Sequence, residues 1–264
     1  MRRTFLIFLL VVVISGCTAG QVDKSSATAS SSESGGQCQI SFVDQEHSPN
    51  FSVTADALFV PRADQHEKAY FAMGCFWGSE ALLASAPGVM ATRVGFSGGT
   101  LPDPDYSAIG DHVETVEVLY DPAVISYQQL LQHFWRHHNS RAKPIFRQYA
   151  SAVFCLRPEQ IKLAKEQREA WQAKGKEKVL TAILPATEFY PASIAHQKYY
   201  LQQDPVLLQS LPEKDRLDTV LAAKLNAVSG RAGERSDLEK TMSELGIDVK
   251  SQDVLFARAV WDSI

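Results

Sequence analysis

The order of strand-like and helix-like segments is the feature that most constrains the fold of this chain. From residue 69 to residue 156 the pattern runs strand, helix, strand, strand, helix, strand. That order is typical of the split βαβ or ferredoxin-like arrangement, in which an antiparallel sheet carries its helices on one face. We therefore predict an α+β fold of this kind with additional helices. The predicted strands are 69–73, 89–96, 113–120, 150–156 and 179–184, and the predicted helices are 79–86, 126–138, 158–174, 191–203, 212–228 and 236–245.

A cysteine directly follows the first predicted strand. Gly74 ends the apolar run, and Cys75 precedes a segment of good helix formers. Because the unpaired N–H groups at a helix start favour an anion, this position predicts a lowered pKa and a nucleophilic thiolate for Cys75. The alternative is that Cys75 is a small buried hydrophobic residue, the usual state of a lone cysteine in an apolar stretch.

The sequence around this cysteine resembles the signature of peptide methionine sulfoxide reductases of the A type. The signature GCFWG stands at residues 74–78, directly after Phe-Ala-Met. The resemblance covers about residues 69–200 and implies the fold above and reduction of the S epimer of methionine sulfoxide, free or in proteins. Other segments similar to family motifs are GFSGG at 95–99, DPDY at 103–106, HVE at 112–114, VLYDPAVISY at 118–127, FW and His at 134–138, and QYASA at 148–152.

The resemblance also implies roles for individual side chains. Cys75 attacks the sulfoxide sulfur as a thiolate. Glu114 donates a proton to the oxygen, because a carboxyl in a partly dry pocket has a raised pKa. The products are methionine and a sulfenic acid on Cys75. The residues expected to bind substrate are Phe76 and Trp77, around the methyl group, and Tyr106 and Tyr149, whose hydroxyls hold the sulfoxide oxygen.

The surroundings of the catalytic pair depart from the family pattern. Segment 143–149 lacks the family's Asp, and the loop between Tyr106 and His112 is shorter than usual. Residues 192–194 are Ala-Ser-Ile where the family has acidic residues. These departures bear on rate and substrate preference more than on the type of reaction. On the same predicted strand as the acid, Glu117 is expected to be exposed.

The resemblance implies no cofactor, only a thiol reductant. Apart from Cys17, the chain has three cysteines, an odd count that does not suit a disulfide framework. The C-terminal tail lacks the resolving cysteine that the family usually carries there. We therefore predict that Cys155 or Cys38 resolves the sulfenic acid, or that an external donor does, such as a thioredoxin-like protein or a dithiol. The alternative for Cys155, at a predicted strand end, is that it is merely buried.

The N-terminus carries signals for export. Two arginines precede the apolar run 5–14, which is too short to span a bilayer. Ile-Ser-Gly-Cys, ending at Cys17, resembles the lipobox of bacterial lipoproteins, whose cysteine is lipidated after cleavage; an ordinary secretory signal cut near residue 19 or 20 is the alternative. A lipid anchor holds a protein on a membrane surface without a spanning helix. We expect an exported, lipid-anchored protein of the bacterial cell envelope, facing the periplasm in a Gram-negative cell, that repairs exported proteins.

The composition divides the chain into five parts. A stretch rich in Ser, Ala and Gly cannot bury enough surface to order itself, so it is predicted to be a flexible tether. The parts are a signal peptide (1–16), the lipidated cysteine with its tether (17–37), an N-terminal arm (38–68), a reductase-like catalytic domain (69–204), and a helical C-terminal extension without a family counterpart (205–264).

Other functions are weighed against the same residues. The net charge of −4 argues against a strongly basic nucleic-acid binder. His133 and His137 stand four apart on a predicted helix, as zinc ligands do, but no third ligand has suitable spacing, so no metal is expected. Two alternatives stay open: acyl transfer by a pair of Cys75 and His112, and a lipid-anchored binding module that has lost activity.

Overall fold

The fold was analysed in a computed structural model that describes residues 66–209, 211, 216–217, 219–234, 236, 239–240 and 243. The predicted signal peptide and tether, with Cys17 and Cys38, lie outside the described residues. So does most of the predicted arm. None of the helices in the described part is both long and apolar enough to cross a membrane.

Six strands and six α-helices make up the described fold, together with two short 3-10 helices. The strands are β1 (Glu67–Met73), β2 (Val89–Ser97), β3 (Val113–Tyr120), β4 (Ser151–Cys155), β5 (Ala182–Pro185) and β6 (Tyr190–Pro191). The α-helices are α1 (Phe76–Ser85), α2 (Tyr127–His137), α3 (Pro158–Ala173), α4 (Tyr199–Gln202), α5 (Pro205–Gln209) and α6 (Val220–Ser229), and the 3-10 helices are Arg147–Tyr149 and Ile194–His196.

The strands form one sheet in the order β5-β4-β1-β3-β2-β6. Four of its pairings are antiparallel. The fifth, between β4 and β5, is parallel, because α3 crosses between these two strands. The sheet is therefore mixed, which corrects the expectation of a purely antiparallel sheet, and the α+β class is confirmed. The ferredoxin-like classification stays a prediction.

One face of the sheet packs against α1 and α2 and forms the main core. Val116 and Phe71 point from the strands into this core, where they meet Phe134 and Trp135 of α2. Phe71 stacks on Phe134 with ring centroids 5.1 Å apart. Burying each of these large side chains contributes roughly 1.5–3 kcal/mol. The end of β1 that leads into Cys75 is thus part of a well-packed core.

The ends of α2 and α3 follow directly from the sequence. Ser126 is the N-cap of α2, and its hydroxyl and the side chain of Gln129 form a reciprocal capping box. Pro158 occupies the first turn of α3, where its missing N–H costs nothing. Both helix starts agree with the sequence prediction.

The other face of the sheet is covered as well, which makes the expectation for Glu117 wrong. The Glu117 side chain is buried and accepts hydrogen bonds from Tyr70 Oη (3.1 Å) and Arg93 Nε (2.7 Å). Lys68 Nζ also lies 3.1 Å from its carboxylate. Glu117 is therefore the centre of a charged cluster within the sheet.

The segment after β5 is not the helix predicted for 191–203. It contains β6, the second 3-10 helix and the short α4. The Gln197 amide explains part of this, because it pairs with β2 as a strand would: Val94 N–H donates to Gln197 Oε1 (2.9 Å), and Gln197 Nε2 donates to Val94 O (2.8 Å). The next residue, Lys198, has a left-handed backbone with φ 49°. Long-range contacts thus replace the local helical bonds.

Lys198 and Glu80 form a buried ion pair that ties this segment to α1. Lys198 Nζ lies 2.7 Å from Glu80 Oε1, and the backbone N–H of Lys198 donates to Glu80 Oε2 (2.8 Å). Thr92 Oγ1 donates to the same carboxylate (3.0 Å). Both charged side chains are almost fully buried. The pair anchors the segment between His196 and Tyr199.

Helix α6 is buried all round rather than amphipathic, which corrects the pattern expected for 212–228. Residues 220–228 are all buried, and they pack with Ala84 of α1 and Leu201 of α4 in a second core cluster. Lys224 Nζ donates to Ala84 O (2.7 Å) and Ala86 O (2.8 Å), the carbonyls at the end of α1. The second expected pattern, 236–245, lies mostly outside the described residues, and the domain boundary at residue 204 stays a prediction.

Candidate active site

Cys75 lies where β1 passes into α1. Gly74 has φ 107°, a left-handed conformation that favours glycine, and this turns the chain out of the strand. Cys75 is then the N-cap of α1, and the residue as a whole is exposed to solvent. The Ser79 N–H and hydroxyl both donate to its carbonyl oxygen, at 3.1 and 2.9 Å. The sequence signature therefore sets the thiol at a helix start, as predicted.

The pKa of Cys75 shifts in the direction opposite to the prediction. Partial burial of the thiol raises this pKa although the residue as a whole counts as exposed, and the charge of Glu114 raises it further. The backbone N–H groups of Trp77 and Gly78 act against this rise. The N–H groups at the helix start thus favour the thiolate, but the effect of burial on the pKa of Cys75 outweighs theirs. The resting thiol needs a base to take its proton.

Glu114 projects from β3 toward the start of α1. Its side chain is buried and accepts hydrogen bonds from the Phe76 backbone N–H (2.8 Å) and from Gln148 Nε2 (3.1 Å). Burial raises the pKa of Glu114, and these two hydrogen bonds oppose the rise. The direction matches the one predicted for a carboxyl in a partly dry pocket. Because Glu114 accepts a hydrogen bond from Phe76, the residue that follows Cys75, the carboxyl and the thiol are neighbours.

Aromatic side chains form the walls beside the thiol. Phe76 is buried, and its ring lies 6.0 Å from that of Tyr106; Trp77 stacks on Tyr106 at 6.3 Å. Partial burial raises the pKa of Tyr106, and the charges of Glu114 and Tyr149 add to the rise. Of the predicted substrate-binding residues, Phe76, Trp77 and Tyr106 therefore meet in one pocket, with Tyr149 beside it.

Three further rings belong to this pocket and received no role from the sequence. His196 stacks on Tyr106 with centroids 4.3 Å apart, and Tyr199 stacks on Trp77 at 3.8 Å. Burial raises the pKa of Tyr200, and the charge of Cys75 adds to the rise, so Tyr200 also lies near the thiol. The His-Gln pair at residues 196–197, which resembles the family sequence, is the signal that could have found part of this group.

Two ring nitrogens in the pocket have no protein partner. Trp77 Nε1 and His196 Nδ1 are buried without a hydrogen bond within the described part of the chain. Buried polar atoms in folded proteins are nearly always paired. These nitrogens are therefore positions at which polar atoms of a bound molecule can be satisfied.

Cys155 is too far from Cys75 to form a disulfide with it in this fold, which corrects its proposed resolving role. Cys155 follows Phe154, which pairs with Tyr70, whereas Cys75 lies beyond the opposite end of β1 at Met73. The separation along the strand is more than about 10 Å, and a disulfide needs Cα atoms within about 7 Å. Cys155 is buried in the main core, with Tyr127 Oη 3.9 Å from its sulfur.

The histidines of the rival functions are occupied elsewhere. Gly99 N–H donates to His112 Nδ1 (3.2 Å), and His112 Nε2 donates to Leu101 O (2.8 Å), so neither nitrogen serves Cys75 as a base. His133 Nε2 donates to Leu82 O (2.9 Å). Among the described residues, no cluster of three or more His, Cys, Asp or Glu side chains is suited to a metal ion. The geometry does not favour acyl transfer by a Cys–His pair.

Comparison with known proteins gives a consistent result. The sequence model of the family described as peptide methionine sulfoxide reductase matches residues 67–226. The expectation that the segment after residue 204 has no family counterpart is therefore wrong up to residue 226.

Individual relatives extend this result. The chain is 44% identical over 170 residues to peptide methionine sulfoxide reductase A5 of Oryza sativa subsp. japonica, covering 61% of this chain and 67% of that protein. It is 38% identical over 183 residues to peptide methionine sulfoxide reductase of Drosophila melanogaster, covering 68% and 74%. Among solved structures, reduced Mxr1 from Saccharomyces cerevisiae is similar with a TM-score of 0.51 and 27% identity, over 55% of this chain and 88% of that one.

Proposed function

Because the chain belongs to the peptide methionine sulfoxide reductase family and is an oxidoreductase of that class, we propose that it reduces the S epimer of methionine sulfoxide through Cys75 and Glu114. One observation carries the assignment of these two residues. The 2.8 Å hydrogen bond from the Phe76 N–H to Glu114 Oε2 sets a buried carboxyl beside the thiol at the start of α1. The thiol supplies a nucleophile and the carboxyl a proton, the two groups that sulfoxide reduction requires.

The reaction begins with a proton transfer between these neighbours. The Cys75 thiol passes its proton to the Glu114 carboxylate, and the Trp77 and Gly78 N–H groups stabilise the resulting thiolate. Burial, which raises the pKa of Glu114, favours the carboxylic acid. Once Glu114 is neutral, its charge no longer opposes the Cys75 thiolate. One proton transfer thus makes Glu114 the acid and Cys75 the nucleophile.

Oxygen transfer follows in the aromatic pocket. The Cys75 sulfur attacks the sulfoxide sulfur while Glu114 protonates the sulfoxide oxygen, and the hydroxyl then passes to the cysteine sulfur. The substrate is reduced to methionine, Cys75 becomes a sulfenic acid, and Glu114 is left as a carboxylate. Tyr106 and Tyr149 hold the sulfoxide oxygen, and Trp77 with Phe76 surrounds the methyl group.

An external thiol donor is proposed to restore the enzyme. Cys155 is buried and remote, and Cys38 lies outside the described residues. Two equivalents of thiol convert the sulfenic acid to a thiol, releasing water and forming one disulfide in the donor. A thioredoxin-like protein or a dithiol supplies these equivalents, with Cys38 as the internal alternative.

The cellular setting is proposed from the N-terminal sequence alone. The lipobox-like Ile-Ser-Gly-Cys supports lipidation at Cys17 and anchoring to a membrane surface, so that the enzyme repairs oxidised methionine in exported proteins. Incorporation of labelled fatty acid that is lost in Cys17→Ala would support the anchor. A soluble exported product, cut near residue 19 or 20, would contradict it.

The function is tested with a methionine sulfoxide peptide supplied separately as its S and R epimers, with a dithiol reductant. We expect turnover of the S epimer only, abolished in Cys75→Ser. In Glu114→Gln, which keeps the shape of the side chain, we expect kcat to fall by about 10²–10⁴-fold, the usual contribution of a general acid. If folded protein turns over neither epimer, the reductase assignment fails and the binding-module alternative gains support.

A further inference from the structure

Exposed apolar side chains cluster on the segments that carry the active site. Among the described residues, three of the most exposed large hydrophobic side chains are Ile145 (87%), Ile194 (68%) and Phe146 (63%). We call these three residues the apolar rim. Large apolar side chains left exposed together often mark an interaction site. Because they are exposed, these three side chains do not contribute to the core.

The rim has two halves, Ile145 with Phe146 on one side and Ile194 on the other, and each half is attached to residues of the pocket. Phe146 is the N-cap of the first 3-10 helix, its carbonyl accepts the Tyr149 N–H (3.0 Å), and its ring meets that of Tyr149 edge-on at 6.2 Å. Ile194 begins the second 3-10 helix, two residues before His196. The Ile194 carbonyl accepts a hydrogen bond from Gln202 Nε2 (2.9 Å), so this half of the rim is fixed as well.

The two halves stand on opposite flanks of Cys75. The first leads into β4 and the second follows β6, and β1, β3 and β2 lie between these strands. Cys75 follows β1, and Glu114 is on β3. Tyr106, 44% exposed, lies against the His196 ring, so it continues the apolar surface from the pocket toward the second half. The rim therefore brackets the pocket.

The spacing of the two halves sets the length of chain that reaches both. The two halves adjoin β4 and β6, which are four strand spacings apart in the sheet, and on this basis we set the separation of the halves at roughly 19 Å. An extended peptide advances about 3.3–3.6 Å per residue, so about five or six residues span the rim. A sulfoxide held over Cys75 near the middle therefore places residues two or three positions away, on each side, against the rim.

We propose that the apolar rim selects methionine sulfoxide in extended peptide segments whose residues two and three positions to either side are apolar. This inference rests on the proposed reductase function and specifies its substrate class. Ile145 and Phe146 contact the apolar residues on one side of the sulfoxide, and Ile194 those on the other. Because these contacts lie away from the reacting sulfur, they stabilise the bound substrate and the transition state equally. They therefore act mainly on KM.

The test uses two seven-residue peptides with a central S sulfoxide, flanked at positions two and three on both sides by leucine in one and by serine in the other. For the wild-type protein we expect kcat/KM to be about tenfold higher for the leucine peptide, mostly through KM. In Ile145→Ser/Phe146→Ser and in Ile194→Ser the ratio should fall toward one. Val124→Ser is the matched control, since Val124 is similarly exposed (59%) but lies beside Gly88, away from Cys75, and it should keep the ratio.

Binding is measured in parallel, so that failure of the inference and failure of the function are distinguishable. Fluorescence anisotropy with the same peptides and Cys75→Ser reports the preference without turnover. Equal turnover and equal binding of the two peptides would refute the selection and leave the reductase function intact. A preference in binding without turnover of either peptide would refute the function and keep the rim. If the serine variants instead lose binding to anionic lipid vesicles while the peptide ratio persists, the rim faces a membrane and the inference is wrong.

Discussion

Removing one partner of the buried ion pair between Glu80 and Lys198 should destabilise the protein strongly. In Lys198→Met, the Glu80 carboxylate stays buried and keeps only two neutral donors, the Thr92 hydroxyl (3.0 Å) and the backbone N–H of residue 198 (2.8 Å). Thr92 O also loses the hydrogen bond from Lys198 Nζ (2.6 Å). Breaking a fully buried pair in this way costs about 3–5 kcal/mol. For a protein of this size that corresponds to a fall in Tm of roughly 6–20 °C.

The assay is thermal unfolding followed by circular dichroism, supported by urea titration. Replacing both partners, in Glu80→Leu/Lys198→Met, removes the unpaired charge and should recover most of the lost stability. Lys162→Met is the control, because Lys162 pairs with Glu166 at the surface at 4.0 Å, and should change stability by about 0.5 kcal/mol or less. If the double variant loses as much stability as the single variants Lys198→Met and Glu80→Leu lose when added together, the argument from an uncompensated buried charge is refuted.

Three further predictions concern the acid, the end of α1 and the remote cysteine. In the wild-type protein, kcat should fall as pH falls through the raised pKa of Glu114, since its carboxylate must first take the Cys75 proton; a pH–rate profile of Glu114→Gln should lack this fall, and its persistence would assign it to another group. Lys224→Met removes the ammonium group that donates to Ala84 O and Ala86 O, of which Ala86 O keeps the Val89 N–H (3.2 Å), and should lower the free energy of unfolding in urea by about 1–3 kcal/mol, where no measurable loss would contradict the role of these bonds. Cys155→Ala should leave multiple turnover with a dithiol intact while lowering stability by about 1 kcal/mol, and a stop after one turnover would restore Cys155 as a resolving thiol.

The elements set by local chemistry were predictable from the sequence. Alternation of β-branched residues gave β3 at 113–120, and Ser126 marked the start of α2. The thiol at the start of α1 also followed from its neighbours, because Gly74 is needed at the turn. In each case the residues that decide the structure lie within a few positions of one another.

The features that were missed depend on contacts distant in sequence. Glu117 is buried because residues from β1 and β2 surround it, and an alternating pattern carries no information on what covers the second face. The direction of the Cys75 pKa shift depends on how far the folded pocket removes water from the thiol. The irregular chain around Lys198 depends on Glu80, a residue more than a hundred positions away. Each of these features depends on residues that are far apart in the sequence and meet only in the folded protein.

The Gln197 amide has a consequence for solubility. An outer strand with unpaired N–H and C=O groups is a template on which another chain can add a strand, the first step of aggregation. Beside β2, the strand β6 pairs only with Gly95 and Phe96, and the next residue, Val94, is met by the Gln197 side chain at both its N–H and its C=O. The Gln197 side chain, together with the Ala192 N–H, which also donates to Val94 O (2.9 Å), thus closes the border of the sheet where β6 ends. This closure leaves another chain fewer open N–H and C=O groups on which it could add a strand.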